Sequence, residues 1–147
     1  MNTKSGGLWL TLLMAIMFSP IAMAAEKPFA EHKVVLQISD DDPFKQTLVL
    51  NVANNIIEAY GSDNVDVQVV AFGPGLRLLF DDNDSKPRIK SLVDNAGVGF
   101  HACKNTIANM GKLLGEPPEI NALATTDSGG VARILALRKQ GYELIKP

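Results

Sequence analysis

The spacing of apolar residues changes along this chain from a strand period to a helix period and back. Lys33 to Ile38, KVVLQI, is a short apolar run of strand character. SDDDP follows, with Asp42 suited to an N-cap and Pro43 to the first helical position. From Phe44 the residues Leu48, Val52, Ile56 and Tyr60 recur at helical spacing, and Val49, Ala53 and Ile57 widen the stripe. Gly61 stands where a helix-ending glycine belongs.

The alternation continues. VDVQVVAF, 65–72, reads as a valine-rich strand bounded by Gly73-Pro74-Gly75. LRLLF, 76–80, fits either a helical or an extended turn. DDNDS is a polar loop, and Lys86 to Asn95 reads as a helix with Ile89, Leu92 and Val93 inward. GVGFHA, 97–102, is a third strand, and Lys104 to Met110 a short helix stopped by Gly111. Ile120 to Ala124 is a candidate fourth strand. TTDSGG leads into a helix from Val131 to Gln140, stopped by Gly141, and YELIK closes as a fifth strand.

Strands separated by helices imply a parallel sheet with right-handed crossovers. The fold class expected is α/β, a three-layer α/β/α sandwich around a mainly parallel five-stranded sheet. Ligand sites in such sheets form beyond the carboxyl ends of the strands. Ser39–Asp42, Gly73–Gly75, His101–Cys103 and Thr125–Gly130 should share that edge.

Composition narrows the setting. Lys4 followed by the apolar run Leu8 to Phe18 and by Ala22-Met23-Ala24 has the form of a secretory signal peptide cleaved after Ala24. The run is short for a membrane span, which takes about 20 apolar residues. The expectation is a periplasmic or otherwise exported chain with no stable membrane span after cleavage, and one domain over residues 25–147. Lys and Arg number 14 against 16 Asp and Glu, for a net charge of −2. With the basic residues scattered, nucleic acid is not an expected partner.

Exported proteins use cysteines mainly in pairs, and this chain has one, Cys103. It is buried and inert, paired with another molecule, or reactive. Cys103 falls at a strand end just before the helix opening at Lys104, where free N–H groups and a neighbouring ammonium favour a thiolate. His101, two residues earlier, shares its strand face, and Asn105 can orient the sulfur. A His101–Cys103 pair also suits a soft metal, but two ligands are too few for a structural zinc site, so no metal is assigned.

Other features of the edge are open to both functional and structural readings. Thr125, Ser128 and Gly129 form either an anion cradle or, through Ser128, an ordinary N-cap. Gly73 and Gly75 give a tight turn or admit a ligand. Asp40 and Asp41 crowd the first strand's exit, where carboxylates repel a phosphate, and no cofactor is expected. No C-x-x-C, G-x-S-x-G, H-E-x-x-H or Walker A pattern occurs.

VVAFGPGLRLL at 69–79, GVGFHACKNTI at 97–107 and GVARILALRKQGYELIKP at the end together resemble the DsrE/DsrF-like family, especially its small single-domain members. The resemblance runs from about Lys33 to Pro147. It implies the same α/β/α sandwich, assembly as a trimer or hexamer, and a sulfur relay in which Cys103 carries a persulfide between a donor and an acceptor protein. The alternative is a non-catalytic oligomeric binding module with a buried structural cysteine. LRLLF puts four large apolar residues beside a loop, which calls for burial either in a subunit contact or under the domain's own core.

Overall fold

Burial on both faces of the central strand organises this protein. A computed structural model describes residues 26–126 and 129–147. The elements are β1 (His32–Ile38), α1 (Pro43–Tyr60), β2 (Val65–Ala71), a 3-10 turn (Gly73–Leu79), α2 (Lys86–Ala96), β3 (Gly99–Ala102), α3 (Lys104–Leu114), β4 (Ala124–Thr125), α4 (Gly130–Lys139) and β5 (Glu143–Ile145). The strand order is β4-β3-β2-β1-β5, and every pairing between these strands is parallel. This is an α/β sandwich of three layers.

The layers follow from the side chains. One sheet face carries Val34, Leu36 and Ile38 of β1 with Val67, Val69, Phe100 and Ala102, packed against Val49, Leu50 and Ala53 of α1 and Ile89 and Leu92 of α2. Ile107 and Met110 of α3 lie against the same cluster. The opposite face buries Val35 and Val70 under Ile134 and Leu137 of α4, with Tyr142 beside them. Steps from β1 to β4 run one way across the sheet, whereas α4 returns over the other face to set β5 beside β1. All seven residues of β2 are buried, as a central parallel strand requires.

Local chemistry sets the boundaries. Asp42 caps α1 by accepting from the Phe44 N–H at 2.8 Å, and Pro43 opens the helix. Gly97, at φ 63°, closes α2, so β3 begins at Gly99 rather than at Gly97.

Three further expectations are corrected. Helix α3 does not stop at Gly111; it runs to Leu114 and ends at Gly115, φ 89°. Gly111 instead admits Pro117, whose backbone would lie 3.2 Å from a Cβ there. The fourth strand is Ala124–Thr125, while Ile120 makes an isolated antiparallel bridge with Phe80. The residue in the N-cap position of α4 is Gly129; Ser128 lies outside the described residues, as does the leader with its cut after Ala24. Of the two burials open to LRLLF, the structure shows the second: Leu76, Leu78 and Leu79 are fully buried in the chain's own core, each contributing about 1.5–3 kcal/mol. No helix among the described residues is long and apolar enough to cross a membrane.

Candidate functional site

Four strand exits meet at the carboxyl edge of the sheet, and glycines are their points of contact. A Cβ at Gly75 would fall 2.6 Å from the carbonyl of Ile38, so the turn after β2 lies directly on the end of β1. Gly73, at φ 55°, donates its N–H to Thr106 Oγ1 at 3.0 Å, joining that turn to α3. A Cβ at Gly130 would stand 2.8 Å from Cβ of Phe72, and one at Gly129 would stand 3.2 Å from Asn105 Nδ2. The start of α4 is thereby set against both β2 and α3.

Cys103 lies at the centre of this arrangement. Its N–H donates to Ala71 O at 3.0 Å, which continues the sheet pairing by one residue. Its backbone then turns, φ −66° and ψ 112°, into the N-cap position of α3. Burial pushes the Cys103 thiol up, but the Thr106 hydroxyl and the backbone N–H groups of Gly130, Thr106 and Asn105 outweigh it, and the net shift is downward from the ordinary thiol value. Thr106 and Asn105 belong to the first turn of α3, and Gly130 opens α4. Two helix N-termini therefore converge on one sulfur. The side chain is 6 % exposed.

The other candidate residues have partners of their own. His101 is buried on β3, with Nε2 2.8 Å from Gln68 Oε1. Lys104 and Asn105 are exposed in the first turn of α3. Thr125 pairs with His101 across β3 and β4. Asp40 and Asp41 are turned to cations, Asp40 to Lys45 at 3.0 Å and Asp41 to Arg77 at 3.8 Å. Exposed pairs of this kind contribute little stability, and these two carboxylates act as partners of Lys45 and Arg77. No group of three or more His, Cys, Asp or Glu side chains among the described residues is placed to hold a metal ion. A cleft of about 640 Å³ lined by Phe80, Leu114, Pro117 and acidic neighbours contains none of these residues.

Several residues of the site carry no motif. Thr106 and Gly130 act on the thiol, and Asp66 and Gln68 stand behind His101. Asp66 is fully buried, and Gln68 is 1 % exposed. A buried carboxylate and amide in the middle of a valine run are the signal that points to them, because a central strand has no solvent face on which to place them.

No protein-family model and no curated protein matches the chain. Among solved structures it is similar to MTH1491, a protein of unknown function from Methanobacterium thermoautotrophicum. The TM-score is 0.69 at 26% sequence identity, over 79% of this chain and 99% of that one. That likeness agrees with the α/β fold described above.

Proposed function

We propose that this protein handles sulfane sulfur through Cys103 in an exported compartment. The observation that carries the reading is the set of donors around the sulfur, which favours an anion at a buried thiol. A thiolate of this kind attacks the outer sulfur of a donor persulfide. The Cys103 S–S bond forms as the donor's S–S bond breaks, giving Cys103–S–SH and the donor thiolate from Cys103–S⁻ and R–S–SH, with no net oxidation. The transferred sulfur extends about 2 Å beyond Sγ, and a second exchange of the same form passes it to an acceptor. The resemblance of FHACKNT and its flanks to DsrE/DsrF-like sequences supports the same role and adds assembly as a trimer or hexamer, which light scattering checks.

The test is polysulfide treatment of the folded protein followed by intact mass. The expected result is gain of one sulfur atom, reversed by a thiol and absent from Cys103→Ser. The 6 % exposure of Cys103 favours a second reading, a binding module in which the cysteine is a packing residue. No sulfur gain without denaturant would select that second reading.

A further inference from the structure

The apolar stripe of α3 outruns the core it packs on. Ile107 and Met110 lie against the hydrophobic cluster, but Leu114, the next position on the same face, does not. Leu114 is 64 % exposed, Leu113 is 86 % exposed, and no residue of this helix is fully buried. Leu114 instead walls the cleft of about 640 Å³, together with Phe80 and Pro117. The remaining lining is largely acidic, with Asp81, Asp82, Glu116 and Glu119. Lys86 holds Asp81 at 2.5 Å, while Asp82, Glu116 and Glu119 take part in no ion pair among the described residues.

The walls are fixed by backbone contacts. Phe80 bridges to Ile120, the Asp81 N–H donates to Glu119 O at 3.0 Å, and the Asn121 N–H donates to Leu79 O at 2.9 Å. On the other side Pro117 lies against Gly111, 3.2 Å from where a Cβ would stand, which folds the turn after α3 back along the helix. An apolar surface with a charged rim is thus formed before any partner arrives, and little ordering cost remains for binding.

We propose that this cleft docks a cationic, amphipathic segment of a partner protein, with apolar side chains on Leu114 and Phe80 and Lys or Arg groups on Glu116 and Glu119. Charge complementarity selects the occupant, since unpaired carboxylates around an apolar floor attract and steer a cation that also carries apolar area. The same carboxylates repel an anionic membrane surface. They also repel the identical rim of a second copy across a two-fold contact. The proposal stands apart from the sulfur chemistry at Cys103.

The test uses a short synthetic peptide with Leu and Lys at helical spacing, titrated into the nitrogen-15-labelled protein. An acidic twin with Glu for Lys and a scrambled peptide of the same composition are the controls. The expected result is saturable binding of the cationic peptide alone, with amide shifts centred on residues 80–82 and 110–119, weakened by salt. Leu114→Ser and the double variant Glu116→Gln/Glu119→Gln should each weaken binding several-fold. Both change exposed side chains, so an unchanged urea midpoint shows that each variant is folded. Shifts centred elsewhere, an affinity unmoved by both variants, or equal binding of the scrambled or acidic peptide overturns the proposal. So does a shift of the same amides with protein concentration alone, which assigns the face to a second copy, or with anionic vesicles, which assigns it to a membrane.

Discussion

Thr106 and Gly73 are joined by a 3.0 Å hydrogen bond in which the Gly73 N–H donates to the threonine oxygen. With that oxygen occupied as an acceptor, the hydroxyl hydrogen is left to donate to Cys103. Thr106 is the foremost of the groups that lower the thiol. The turn after β2 thus acts on a sulfur that follows β3.

Thr106→Val removes that donor and keeps the side-chain shape. The thiol pKa rises, and alkylation at neutral pH slows relative to wild type. The Gly73 N–H also loses its acceptor, so stability falls by about 1–3 kcal/mol. A pH profile of alkylation checks the first effect and urea unfolding the second.

Gly75→Ala places a methyl group 2.6 Å from the Ile38 carbonyl. Backbone cannot yield as a side-chain tip does, so the expected cost is about 1–3 kcal/mol. Gly130→Ala meets Phe72 at 2.8 Å and displaces the N–H that faces Cys103. The second variant, unlike the first, should raise the thiol pKa as well as lower the urea midpoint.

Tyr142 is 4 % exposed, and burial followed by its bond to Asp66 pushes its phenol pKa upward. The protonated phenol is therefore favoured in the folded state. Its contribution is fully present below the unfolded tyrosine pKa of about 10 and is lost as pH rises above it. The expected slope is about 1.4 kcal/mol per pH unit. Tyr142→Phe should flatten that alkaline slope while costing about 1–3 kcal/mol at pH 7, because Asp66 loses a donor. Unfolding free energies from pH 8 to 11 decide both points.

Lys27 ties the start of the described chain to the amino edge of the sheet. Its ammonium donates to Ser62 O at 2.5 Å and Ala96 O at 2.7 Å, the latter a carbonyl in the last turn of α2, where a cation is favoured. Lys27→Met is expected to cost about 1.5–3 kcal/mol by loss of charge-assisted bonds. A urea midpoint unchanged in this variant would show the strap to be dispensable.

The sequence was most informative where hydrophobic period and turn chemistry agreed. Asp42, Pro43 and Gly61 bracket α1 as read, and the four exits meet at one edge, because a parallel topology leaves them no other place. Gly111 misled because a glycine that admits Pro117 looks in sequence like one that ends a helix. LRLLF left its burial open between an interface and the core because a 3-10 turn folded back onto the core has no periodic signature. Asp66 and Gln68 escaped because VDVQVVAF reads simply as a valine-rich strand, and their burial depends on packing between elements distant in sequence. Cys103 itself was legible, as a lone thiol at a strand-to-helix junction. The Thr106 and Gly130 donors were not, since they depend on how α3 and α4 meet.

The donors around Cys103 favour its thiolate in the folded protein. The most direct test of this is the rate of iodoacetamide alkylation against pH, followed by intact mass with Cys103→Ser as the blank. The expected result is reaction in the native state with a midpoint below the ordinary thiol pKa of about 8.5. A thiol silent until denaturant is added, or one titrating at or above that value, would contradict it.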